Sequence, residues 1–158
     1  MDHQLSPPDR VQAALTAAGV DARIQEFPTS TRTATEAAAT VGTSVAQIVK
    51  SLVFLAGDSP VLVLVSGVNR LDLERLAALT RAVIGKADAN TVRLATGYAI
   101  GGVPPLGFPA PLPTFIDRDL LQYDVVWAAA GTPRHVFPIA PPDLLRITRG
   151  RVADLGTR

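Results

Sequence analysis

Two apolar runs separated by a short turn set the frame for this chain. Ser51-Leu52-Val53-Phe54-Leu55 and Val61-Leu62-Val63-Leu64-Val65 are apolar at nearly every position, and Gly57-Asp58-Ser59-Pro60 lies between them. Each run reads as a buried strand, and the turn chemistry between them predicts an antiparallel hairpin. Lys50 stands where the first strand begins. The second strand, if left open at an edge, offers a surface for dimer pairing.

Helix signals surround this pair. Ser6-Pro7-Pro8-Asp9 supplies a capping hydroxyl, prolines tolerated in a first turn and an acid near the positive end of the dipole. It predicts a helix to Gly19 with Val11, Leu15 and Ala18 facing the core. Ala22 to Phe27 alternates weakly and suits a half-buried strand, and Pro28 to Arg32 is a polar loop. Thr33-Ala34-Thr35-Glu36 fits a capping box for a helix that Gly42 ends, and Thr43 or Ser44 caps a short turn after it.

Asp72 can cap Leu73 to Leu79, Ala82 to Ile84 suits a brief strand, and Asp88 to Ala95 reads as a helix closed by Gly97. Thr114 to Ile116, Val125 to Ala129 and Val136 to Ile139 are further strands, the last interrupted by Pro138, and Pro141-Pro142-Asp143 starts a final helix to about Ile147. No repeat or linker divides the 158 residues. The reading is one α+β domain spanning 1–158, a mixed and largely antiparallel sheet surrounded by short helices, with loose ends at 1–5 and 152–158.

Composition narrows the chemistry. Cysteine is absent and only His3 and His135 supply imidazole, which removes disulfides, thiolate-ligated metals, thiol nucleophiles and a His-rich metal site. A Ser nucleophile on a Gly-x-Ser-x-Gly elbow is also missing. No metal and no cofactor are expected, and any chemistry must come from the backbone, lysine, carboxylates or the substrate itself. A net charge of +1 argues against coating long stretches of duplex, so DNA is not an expected partner. No apolar run approaches the ~20 residues of a membrane span, and the polar start lacks the centre of a signal peptide. The expectation is a cytoplasmic protein without membrane contact.

Three features could carry function. In Tyr98-Ala99-Ile100-Gly101-Gly102-Val103-Pro104-Pro105-Leu106-Gly107, adjacent glycines permit close approach of a ligand to the backbone, and Pro104 and Pro105 stiffen the second half of the loop. Such a loop can cradle an oxyanion or a phosphate end, or can simply be a turn between a helix and a strand. Lys50 offers a compact, mobile point charge in a chain whose only other lysine is Lys86. Equally, a strand-edge lysine snorkels from apolar surroundings. His135 could act as a base, but Gly131-Thr132-Pro133-Arg134-His135 reads as a solvated turn, and no orienting partner is evident. Asp117 and Asp119 flank Arg118 where carboxylates cap a turn.

Three blocks in order, Gln47-Ile48-Val49-Lys50-Ser51-Leu52-Val53-Phe54, Thr96 to Gly107 and Leu112-Pro113-Thr114-Phe115-Ile116-Asp117, closely resemble the YbaK/prolyl-tRNA-synthetase-associated domain family. The resemblance runs from the first helix to the helix beginning at Pro141. It implies that family's editing-domain fold and a trans-editing hydrolase acting on the ester of a mischarged tRNA. The implied catalytic groups are Lys50, at the family's lysine, and Gly101, opening the Gly-x-x-x-Pro loop whose backbone holds the aminoacyl carbonyl. The attacking group in that scheme is water or a substrate group.

The expected pocket is small and mostly apolar, and it binds substrate through Phe27, Thr29, Thr31, Tyr98, Gly102, Val103, Pro104, Pro105, Gly131 and His135. The implied partners are the 3′ aminoacyl end of a tRNA and an aminoacyl-tRNA synthetase. The alternatives are a non-catalytic tRNA- or synthetase-binding module, and a hydrolase of small aminoacyl esters.

Two departures leave the amino acid open. Members that remove Cys often have serine where this chain has Pro104. The alanine-specific branch tends to carry a histidine just after the strand corresponding to Val125 to Ala130, and here His135 lies several residues later.

Overall fold

The computed structural model describes residues 5–31 and 33–158. In chain order its elements are α1 (Pro7–Ala17), β1 (Gln25–Glu26), α2 (Ala34–Val41), β2 (Val49–Ala56), β3 (Ser59–Ser66), β4 (Arg70–Leu71), α3 (Leu73–Thr80), β5 (Ile84–Lys86) and α4 (Ala89–Thr96). Next come β6 (Thr114–Asp117), β7 (Val126–Ala129), β8 (His135–Ile139), α5 (Pro141–Thr148), β9 (Arg151–Ala153) and β10 (Gly156–Thr157). Short 3-10 turns occupy Val45–Gln47 and Arg118–Gln122.

Local chemistry sets most of these boundaries. The Ser6 hydroxyl accepts from the Asp9 N–H, Thr33 Oγ1 from Glu36 N–H at 3.1 Å and Asp88 Oδ1 from Thr91 N–H at 2.8 Å, each satisfying an otherwise orphaned donor of a first turn. Gly97, at φ 82°, closes α4 in the left-handed region and releases the chain into the glycine-proline loop.

The hairpin is the centre of a five-stranded sheet in the order β5-β2-β3-β6-β9. β2 pairs antiparallel with β3 and β5, whereas β3 with β6 and β6 with β9 run parallel. A three-stranded antiparallel sheet, β1-β8-β7, touches it through one isolated bridge, Ile48 with Trp127, and β4 pairs with β10. Alternation along β3 builds two cores. Leu62 and Leu64 join Val11, Leu15, Tyr98 and Phe137 on one face, while Val61, Val63 and Val65 meet Leu76 of α3 and Leu155 on the other.

Several expectations are corrected. β3 has no free edge for a dimer, because β2 and β6 flank it and Leu62 to Val65 are fully buried. The tail from 152 is ordered into β9 and β10, with Leu155 fully buried as its anchor. Strands of three and two residues are too short to display alternation. Of the expected loose start at 1–5, only Leu5 falls within the described residues. The strand expected at 82–84 lies at Ile84–Lys86, since Gly85 pairs with Leu55 and Val83 points to solvent. The strand expected over 22–27 shrinks to Gln25–Glu26, with Ala22 and Phe27 buried at either side.

Candidate functional site

Where the N-terminal half of β2 runs past the end of β5, a cavity of about 530 Å³ opens between the two larger sheets and the N-terminus of α2. Lys50, Gly101, Val103, Thr31 and His135 all line it. The structure therefore brings together the lysine, the first glycine of the loop and residues of two further expected segments.

Lys50 is half-buried, and its Nζ donates to the Asn69 carbonyl. Asn69 is itself buried. Its Nδ2 donates to Asp117 Oδ2 at 2.8 Å and to Asp119 Oδ2 at 2.7 Å, and the Ser66 N–H also reaches Asp117 Oδ2, at 3.0 Å. The backbone carbonyl that receives the lysine is thus fixed by its own side chain against two carboxylates. Burial lowers the Lys50 pKa from its ordinary 10.5, the Asp117 carboxylate opposes this, and Arg70 adds to it. Asn69→Ala is expected to lower stability by ~1–3 kcal/mol in chemical denaturation, because it strips the buried Asp117 of a donor.

The glycine loop owes its shape to close packing. A Cβ on Gly102 would stand 2.6 Å from the Gly131 carbonyl oxygen and 2.6 Å from Thr132 Cα, so only glycine fits. The Gly131 N–H donates to the Gly102 carbonyl at 2.9 Å, and the Gly102 N–H to Ala99 at 3.0 Å. Gly131, at φ 100°, is in turn pressed against Pro7 of α1. With the loop held this way, the Gly101 and Val103 amides donate to no protein acceptor among the described residues.

The remaining expected residues divide into walls and supports. Tyr98 is buried away from the cavity. Its ring lies under the Arg10 guanidinium at 4.6 Å, its hydroxyl donates to the Gly107 carbonyl at 3.1 Å, and Arg10 also donates to the Gly97 carbonyl. Tyr98 is a strut at the base of the loop rather than a contact surface. Gly102, Pro104, Pro105 and Gly131 are buried and do not line the cavity, and Thr29 is exposed and outside the lining. Phe27 packs with Ala37, Ala38, Ile48 and Val136 as a support for the wall. Thr31 reaches the cavity because its N–H and hydroxyl both donate to the Pro133 carbonyl at 3.2 Å.

His135 corrects the expectation of a solvated turn without a partner. It opens β8, pairs with Glu26 of β1, and holds its ring between Thr132 Oγ1 and Glu26 Oε1, the latter at 3.2 Å. Sequence reasoning misses this because Glu26 lies 109 residues away. It also misses Thr33, Ser51, Ala129 and Thr132, which line the cavity. Ser51 left a signal, a hydroxyl inside an otherwise apolar strand, as did Thr33, the capping residue of α2. Among the described residues no group of three or more His, Cys, Asp or Glu side chains stands together as a metal site, and no helix is long and apolar enough to cross a membrane.

The site offers one partly desolvated cation, free backbone amides, several hydroxyls and an apolar floor. It can hold a small acyl group and polarise its carbonyl.

Comparison with known proteins identifies relatives of this fold. The aminoacyl-tRNA editing domain family matches residues 29–147. A solved structure described as a proposed trans-editing enzyme for prolyl-tRNA synthetase superposes with a TM-score of 0.93 at 48% identity, over 99% of this chain and 100% of that one. A scaffold used for computational grafting of linear epitopes gives 0.93 at 49% identity, over 98% and 100%. EbsC of Enterococcus faecalis strain V583, described as a proposed Cys-tRNA(Pro)/Cys-tRNA(Cys) deacylase, is 28% identical over 123 residues, covering 77% of this chain and 75% of its own.

Proposed function

The chain belongs to the aminoacyl-tRNA editing domain family, and from that premise we propose that it is a hydrolase that removes a wrong amino acid from the 3′ end of a tRNA in trans. The observation that carries the reading is the shared cavity of Lys50 and Gly101. The aminoacyl carbonyl sits against the Gly101 and Val103 amides, which meet the oxyanion as it forms. The Lys50 ammonium adds positive charge to the same cavity. A water oxygen bonds to the acyl carbon, the ester C–O bond breaks, and one water proton passes to the departing ribose oxygen. Free amino acid and an uncharged 3′ terminus result, with no acylated enzyme. The neighbouring ribose hydroxyl positions the water. The protein supplies positioning and electrostatics, which suits a chain without cysteine. An apolar cavity that admits by size is a second sieve, where one methylene is worth ~1–3 kcal/mol.

The test is turnover. With tRNAs charged with Cys, Ala, Ser, Thr and Pro, a substoichiometric amount of protein is expected to clear at least one over several cycles. Binding that leaves every ester intact would establish the non-catalytic module instead. Equal rates on aminoacyl-adenosine and on the charged tRNA would shift the substrate to small esters.

A pH profile gives a second check. A group with a lowered pKa loses its proton early as pH rises, so turnover, corrected for spontaneous alkaline hydrolysis, is expected to fall below pH 10.5. Lys50→Met abolishes that limb. Between the folded value and 10.5 the unfolded chain binds the extra proton, so Lys50 makes stability rise with pH across that window.

A further inference from the structure

Just before β2, Ile48 meets Trp127 of β7 in a single parallel bridge, and among the described residues the pairing goes no further. Beyond that bridge the strands part, and the cavity occupies the fork. Strand alternation fixes which main-chain groups face it. At the entry to β2 the Ile48 carbonyl accepts from Gly67 N–H on the β3 side at 2.8 Å, whereas Gly57 N–H donates to Val83 on the opposite edge at 2.9 Å. Even-numbered residues of β2 therefore turn their polar backbone toward β3, and odd-numbered ones toward the outer edge. β5 covers that edge only from Phe54 to Ala56, which leaves Ser51 uncovered. On β7, Ala130 N–H donates to His135 of β8 at 2.8 Å, so Ala129 faces away from β8 and toward β2. Ser51 and Ala129 both line the cavity. A second, independent observation falls on the same residue: Ser51 Oγ is buried and has no hydrogen-bond partner among the described residues.

Buried polar atoms without partners are rare in folded proteins, and Ser51 Oγ is one, while the Ser51 and Ala129 main chains bring their carbonyls, along with their N–H groups, to the edges that border the same cavity. We propose that this fork is the seat of the substrate's α-amino group, with Ser51 as its side-chain anchor. This rests on the deacylase reading, in which the glycine loop takes the acyl carbonyl. The α-amino group is the donor-rich part of an aminoacyl ester, and hydrolysis leaves it untouched. Held by the fork, it orients the acyl carbon toward the loop. The fork thus favours acyl groups bearing an α-amine over otherwise equal acyl groups.

The experiment uses two non-hydrolysable adenosine conjugates, 3′-deoxy-3′-(L-alanylamino)adenosine and its 3′-propionylamino counterpart, which differ only in the α-amine. Calorimetry on wild-type protein is expected to give at least about tenfold tighter binding of the alanyl conjugate, and Ser51→Ala is expected to bring the two within about threefold. Wild-type protein that does not distinguish them, including protein that binds neither, overturns the inference. So does undiminished discrimination by Ser51→Ala whose melting curve matches wild type. The wild-type comparison stands even if the variant does not fold. Protein that discriminates between the conjugates but turns over no charged tRNA keeps the seat and loses the deacylase reading. Turnover without discrimination does the reverse.

Discussion

Lys50→Ala is expected to lower kcat/KM on the responsive charged tRNA by about 100-fold, which corresponds to ~2.7 kcal/mol of transition-state stabilisation. The cause is local. The ammonium is held by the Asn69 carbonyl on the wall of the cavity, and its charge acts more strongly in a partly desolvated site than in water. Lys50→Met should lose as much activity while keeping the apolar stem, and its melting temperature should stay close to wild type. Removing the charge relieves its desolvation but also forfeits the hydrogen bond to the Asn69 carbonyl, and the two effects oppose one another. Lys50→Arg should not restore activity, because a planar fork does not replace a point charge on a single carbonyl. Single-turnover kinetics and thermal melts on the same preparations separate these effects. Loss of activity in proportion to loss of folded protein would make Lys50 a structural residue.

The second large effect belongs to Gly102. An alanine there places a Cβ 2.6 Å from two backbone atoms of the 131–132 turn, neither of which is a flexible side-chain end. The loop must move, and the Gly101 and Val103 amides move with it. Gly102→Ala is expected to cost ~1–3 kcal/mol of stability and 10²–10³ in kcat, the scale of losing an oxyanion donor. Gly57→Ala is the control. It is another glycine substitution, at φ 61° in the hairpin turn with open space around its Cβ position, and it should destabilise without selective loss of kcat. Equal kcat for Gly102→Ala and wild type would remove the loop from the mechanism.

Much of this architecture is legible in the chain. The hairpin, the caps at Ser6, Thr33, Asp72 and Asp88, and the stops at Gly42 and Gly97 are local events, and local residues specify them. The parallel neighbours β6 and β9 are not legible, because nothing in Thr114–Asp117 or Arg151–Ala153 says which strand each will meet. The site divides the same way. Lys50 and the glycine loop stand out by residue type, and the structure places Lys50 and Gly101 on one cavity. The Glu26 partner of His135 and the opposition of Ser51 to Ala129 arise only when distant segments meet. Tyr98 misleads for a related reason: proximity in sequence to Gly101 suggests a contact surface, yet its ring turns inward to Arg10.

The central claim is that this cavity hydrolyses an ester by positioning and polarising it, with water and not a side chain as the attacking group. Single-turnover deacylation in H₂¹⁸O tests this directly, using a charged tRNA whose amino acid has no thiol and mass spectrometry of the released product. The account predicts one ¹⁸O in the amino acid carboxylate together with no acyl group on protein quenched during the turnover, because an acylated serine or threonine hydrolysed by the same water would also deliver one ¹⁸O. An amino acid released without ¹⁸O, or an acyl group carried on the protein, would contradict it.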